Sequence, residues 1–198
     1  MELVKLDSPM TKVALLFLVT LAVILLSFFF MIAHHDDLSN RVYYSLTDHK
    51  GRLVTEQDYG GRYQIVFFGF TNCDMICPTQ MHKLTEVMHA IDEQGKADQL
   101  TPIFITVDPE RDTPERIDNF LTYYHERFIG LTGSRTSLEQ TANTFKTLMV
   151  DAPKAPVDGY QITHSSVVYL VDPFMRLVDF IPYDTSVQEM AERIKFHL

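Results

Sequence analysis

Apolar residues fall along this chain in three kinds of pattern, and each predicts a different element. Val13 to Ala33 reads VALLFLVTLAVILLSFFFMIA, an unbroken run of 21 residues without a charge. At 1.5 Å per residue it covers roughly 30 Å, and it lacks the polar face that a core helix keeps. Shorter runs at Tyr63–Phe70, Pro102–Val107 and Ser166–Val171 are apolar on both sides, as strands buried on two faces should be. A third pattern repeats at three- and four-residue spacing: Met81, Leu84, Val87, Met88 and Ile91 predict a helix that opens near Pro78 and stops by Gly95.

The remaining elements follow from turn and cap chemistry. Val42–Ser45 and Arg52–Thr55 flank Asp48-His49-Lys50-Gly51 and predict a small hairpin. Thr113-Pro114-Glu115 supplies a cap, a proline and an acid for a helix running to about Arg127. A short segment at 129–133 precedes a helix over 137–148. Residues 151–160, rich in Pro, Asp and Gly, read as a loop, 176–182 as a returning strand, and 186–197 as a closing helix. Parallel strands with crossover helices, followed by an antiparallel pair, predict an α/β domain of thioredoxin type with an N-terminal β-hairpin.

The long apolar run divides the chain into a cytoplasmic N-terminus (1–12), a transmembrane anchor (13–33), a stalk (34–41) and the α/β domain (42–198). A cleaved signal peptide would carry a shorter apolar region ending in a small-x-small site. Here the run ends FFFMIA, with no small residue two places before Ala33, so an uncleaved anchor is expected. Lys5 and Lys12 precede the run while His34, His35, Asp36 and Asp37 follow it, which orients the domain outward. No Arg-rich leader is visible, and a single-pass protein of the bacterial inner membrane with a periplasmic domain fits this pattern. The two His-Asp pairs read as a hydrated stalk rather than a metal site.

Charge and cysteine usage narrow the function. A net charge of −9 with scattered basic residues argues against nucleic-acid binding. The chain holds two cysteines, Cys73 and Cys77, where the apolar strand meets the helix at Pro78. A disulfide between them would close a loop of three residues and remove little unfolded-state entropy, so a purely structural bridge is a poor explanation. A helix N-terminus is expected to favour thiolate, which serves both disulfide exchange and soft-metal binding. Local spacing does not separate those two chemistries. His164, just before the third buried strand, is the histidine best placed to add an imidazole ligand for Cu or Zn. Met81 and Met88 read as core, His82 and His89 as solvated, and Asp108 and Asp112 as a turn with a helix cap.

FFGFTNCDMICPTQM, FITVDPERDTPE and ITHSSVVYLVDP, in this order behind a single anchor, resemble the SCO/SenC family of membrane-tethered copper chaperones. The resemblance covers roughly residues 42–198. It implies a thioredoxin-like fold and one copper ion, Cu(I) or Cu(II), bound by Cys73, Cys77 and His164. It further implies a role in building the dinuclear copper centre of cytochrome c oxidase, with that oxidase subunit or another periplasmic copper chaperone as partner. The family turn C-P-D-[VI]-C-P is altered here to Cys73-Asp74-Met75-Ile76-Cys77-Pro78. The missing proline bears on loop rigidity, and the displaced acid on the charge around the metal. Met75 reads as packing or exposure rather than as a ligand. The main alternative is a thiol–disulfide oxidoreductase that uses Cys73 and Cys77 as a redox pair and can spare His164. A peroxidase lacks the proline expected upstream of its cysteine. A purely structural membrane module would show neither metal nor thiol activity.

Overall fold

Strands β3 (Tyr63–Gly69) and β4 (Leu100–Thr106) form the centre of the molecule, paired in parallel from Tyr63↔Leu100 to Gly69↔Thr106. The computed structural model of the chain describes residues 9–74, 76–147 and 167–198. Two compact units are present, Met1–Asn40 and Arg41–Leu198. The first carries helix α1 (Pro9–Ser39), whose apolar side chains up to Met31 are exposed all round. Pro9–Met31 is long and apolar enough to cross a membrane. The backbone of 34–39, expected as a stalk, continues this helix.

The second unit is built on a seven-stranded sheet of order β2-β1-β5-β4-β3-β6-β7, completed by β1 (Ser45–Asp48), β2 (Leu53–Thr55), β5 (Ile129–Thr132), β6 (Val168–Val171) and β7 (Leu177–Ile181). Strands β3 and β4 run parallel and β6 and β7 return antiparallel, as the order of sequence patterns predicted, and β5 adds a third parallel strand beside β4. Every residue of β4 is buried, which explains why its sequence shows no alternation. Phe68, Phe145 and Tyr169 meet edge-to-face at 5.2–5.8 Å on one side of the sheet.

Helix α2 (Ile76–Asp92) buries Met81, Leu84, Val87, Met88 and Ile91, the predicted stripe. It closes through Gly95, whose φ of +70° suits a left-handed residue after a helix. The hairpin lies three residues later than predicted in its first strand. Residues 42–44 bond elsewhere, Val42 N–H to the Met175 carbonyl at 2.8 Å and Tyr44 N–H to Glu56 Oε2 at 3.0 Å.

Helix α3 (Pro114–Leu121) is shorter than expected. Phe120, Tyr124 and Phe128 recur every four residues and mimic a helical stripe, but they contact one another through a turn, with ring centroids 4.9 and 6.5 Å apart. The segment at 129–133 proves to be strand β5, short and glycine-bearing and so without a readable period. Gly130 is required there: a Cβ would lie 2.1 Å from Ile117 Cγ2, so α3 can seat on β5 only over a bare backbone. Helices α4 (Arg135–Thr144) and α5 (Val187–His197) begin at Ser134 and Ser186, each accepting an N–H three residues on.

Candidate metal centre

The parallel strands end together at Gly69, Thr106 and Thr132, and the segments leaving those ends build the site. After Gly69 the chain turns through Phe70–Cys73, with Cys73 N–H bonded to the Phe70 carbonyl at 3.3 Å. Helix α2 then begins, placing Cys77 in its first turn. Cys73 Sγ accepts the Cys77 N–H at 3.5 Å, so the helix end that faces Cys77 also faces the Cys73 sulfur. Both cysteines are free thiols.

Their environments differ. Cys73 is partly exposed at the rim, whereas Cys77 is fully buried. A Cβ on Gly69 would stand 3.1 Å from Cys77 Sγ and 2.9 Å from Phe104 Cε2, so the bare backbone of β3 makes room for the buried sulfur. Burial pushes the Cys77 thiol well up from its ordinary value, against the backbone of Phe70, which favours the thiolate. Desolvation at Cys77 thus opposes the thiolate that the helix start was expected to favour.

The loop after β4 reaches back to this turn. Asp112 closes the expected turn with its N–H on the Asp108 carbonyl at 2.9 Å, but Thr113 caps α3 and the fully buried Asp112 carboxylate bonds elsewhere. Its Oδ1 accepts from Thr71 Oγ1 at 2.5 Å, and its Oδ2 accepts from Thr71 N at 2.9 Å and from Thr106 Oγ1 at 2.6 Å. Burial raises its pKa, opposed by these same bonds from Thr106 and Thr71. Arg116, one turn into α3, donates from Nε to Thr71 Oγ1 at 2.8 Å and from Nη2 to Asn72 Oδ1 at 3.0 Å. Asp108, also buried, pairs with Arg111. Thr71 and Arg116 are the residues beside the cysteine turn that sequence reasoning missed, and Asp112 was named but its carboxylate's reach to Thr71 was not. The signal was there in the DPERD run beside the strand end, but nothing local said which element its carboxylate would reach.

His164 and Met75 lie outside the described residues. Asp74 is exposed. Met81 and Met88 are fully buried, and His82 and His89 are exposed, as predicted. Among the described residues one other group of metal-ligating side chains occurs, His89, Asp92 and His125, with ligand atoms within 4.8 Å of one another. Its hydrogen bonding is that of a structural brace. His125 Nδ1 accepts the Arg127 N–H at 3.3 Å, so the ring proton sits on Nε2, which donates to Asp92 Oδ2 at 2.6 Å. The Arg127 guanidinium, 3.9 Å from Asp92, further disfavours a cation.

An α/β sheet with a CxxxC pair at the head of a helix and an acidic loop behind it defines a thioredoxin-like thiol or metal protein. Comparison with known proteins narrows that class. The SCO1/SenC family model matches residues 34–198, and the chain belongs to that family. The human "Protein SCO1 homolog, mitochondrial" is 34% identical over 155 residues, 78% of this chain and 52% of that protein. A "SCO2-like protein" of Rickettsia felis is 34% identical over 153 residues, 77% of this chain and 74% of its own length. The chain spans about half the length of the curated animal relatives it matches. Among solved structures, Arabidopsis thaliana ScoI with copper bound superposes with a TM-score of 0.73 at 31% identity, covering 80% of this chain and 97% of that one.

Proposed function

We propose that this chain is a membrane-anchored copper protein in which Cys73, Cys77 and His164 hold one copper ion, as Cu(I) or Cu(II). In this reading the ion is cargo for the dinuclear copper centre of cytochrome c oxidase. The observation that carries it is the pair of free thiols on one turn at the rim of the sheet, Cys73 reachable from solvent and Cys77 buried behind it. Two sulfurs are the donors a soft ion selects, and an added imidazole lets the same site accept the divalent state. The copper-bound relative at 31% identity supports the choice of metal.

The start of β6 supports His164 as the third ligand. Val168 pairs with Phe67, two residues before the end of β3, so the chain enters β6 from the edge that bears the cysteines. His164 lies four positions before Val168, a reach of at most ~14 Å. Helix α1 supplies an anchor, and Lys5 and Lys12, which precede its apolar run, favour a domain outside the cytoplasm, in the periplasm of a bacterial inner membrane.

Anaerobic titration of the reduced protein with Cu(I) and with Cu(II) tests the reading. One copper should bind per chain, Cys73→Ala and Cys77→Ala should abolish tight binding, and His164→Ala should weaken Cu(II) severely. Unchanged Cu(II) affinity in His164→Ala removes the three-ligand site.

The asymmetry of the two thiols favours a second activity at the same turn. The partly exposed Cys73 is placed to attack an acceptor disulfide, and Cys77 to resolve the mixed disulfide, with two electrons and two protons passing to the acceptor. That activity should survive His164→Ala, whereas copper transfer should not.

A further inference from the structure

We propose that Arg116 is a positioning residue for the metal-binding turn, holding Thr71 and Asn72 so that Cys73 is presented in one fixed geometry. This rests on the copper-site reading above and extends it to an element that carries no ligand. Arg116 lies on α3, beyond the whole of β4 in the chain, yet both its directed hydrogen bonds land on the two residues before Cys73.

The guanidinium fork matches this task. Nε and Nη2 point the same way from a planar group, and they engage a hydroxyl and a carboxamide oxygen on consecutive residues. Thr71 Oγ1 accepts from Arg116 and donates to Asp112 Oδ1, so the hydroxyl is held from both sides. Asp112 is tied in turn to Thr106 at the end of β4. A continuous line of bonds thus runs from the sheet through Asp112 and Thr71, with Arg116 closing it onto Asn72. The Arg116 side chain is 47% exposed, and its Nε lies 4.0 Å from Asp112 Oδ1. At that separation, and with the guanidinium half exposed, the attraction to the buried Asp112 carboxylate contributes little stability, so ordering the turn is the main consequence of the contact. No proline stiffens the turn between Phe70 and Cys77, so its order depends on contacts from outside it.

The test uses the full chain in detergent, with Cu(I) in competition with a chelator and the sulfur-to-copper charge-transfer band of the Cu(II) form as readouts. Arg116→Ala should weaken Cu(I) binding about tenfold and shift or broaden that band, with the metal-free unfolding midpoint little changed. Arg116→Lys keeps the charge but not the fork, and should remain weak. Full recovery in Arg116→Lys would overturn the proposal in favour of simple charge, and unchanged affinity and band in Arg116→Ala would overturn it outright.

If Arg116→Ala lowers the unfolding midpoint, Asn72→Ala provides the second arm, since it cuts one of the two bonds from the other side. The double variant should lose less affinity than the sum of the singles, and additive losses would overturn the proposal. Cys73→Ala and Cys77→Ala separate the two levels. Copper retained in both defeats the site itself, whereas copper lost in both with Arg116→Ala unaffected defeats only the role of Arg116.

Discussion

Thr71 and Asp112 are 41 residues apart in sequence and share two hydrogen bonds, hydroxyl to Oδ1 at 2.5 Å and backbone N–H to Oδ2 at 2.9 Å. Through them the buried carboxylate, also bonded to Thr106, joins the cysteine turn to the end of β4. Asp112→Ala would leave those three donors without their acceptor. The expected cost is about 3 kcal/mol, read as a lower urea midpoint with an unchanged slope. A loss under about 1 kcal/mol would mean that the turn is held by something else.

Exposure separates the two thiols, and alkylation reads exposure directly. In the reduced, metal-free protein Cys73 should react with iodoacetamide at least about tenfold faster than Cys77, because Cys77 is both buried and pushed toward the neutral thiol. Peptide mass spectrometry over a time course gives the ratio. Equal rates would show that Cys77 is not enclosed as described.

Gly130 seats α3, and α3 carries Arg116. A methyl at this position would stand 2.1 Å from Ile117 Cγ2 and 3.0 Å from Leu121 Cδ1, on two buried side chains of α3. Gly130→Ala should therefore destabilise the domain by about 3 kcal/mol, the upper part of the overpacking range, and weaken copper binding with it. Wild-type stability in this variant would mean that α3 shifts without cost.

Acid should unfold the hairpin region through Asp48. Burial by itself would raise this carboxyl, but the bonds from Arg52 and Lys50 outweigh it and hold the pKa below the ordinary range. A carboxyl whose folded pKa lies below its unfolded value of about 4 stabilises the fold above that pH and loses the contribution as pH falls through the folded value. The stability difference between wild type and Asp48→Asn should thus be full at pH 7 and shrink steadily below about pH 4. A difference independent of pH would assign the effect to hydrogen bonding alone.

Much of the architecture was legible before any coordinates. Runs apolar on both faces announced β3, β4 and β6, and the methionine-rich stripe announced α2, because burial on two faces or along one leaves a period in the sequence. Strand β5 was not legible, since four residues with a central glycine carry no period. The cap residues Thr113-Pro114-Glu115 marked where α3 begins but carried no signal for its end at Leu121, across which Phe120, Tyr124 and Phe128 keep helical spacing through a turn.

By itself the sequence determined the inventory: an apolar helix, two thiols at a strand-to-helix junction and an acidic run after the next strand. Those features depend on neighbours along the chain. Which thiol is buried, and that Asp112 and Arg116 reach Thr71 and Asn72, only the tertiary structure decided. Parallel pairing of β3 with β4 brings Gly69 and Thr106 side by side, so segments some forty residues apart leave the sheet at one place. Burial and hydrogen bonding act through space, and a linear reading of residue types has no access to them until the pairing is known.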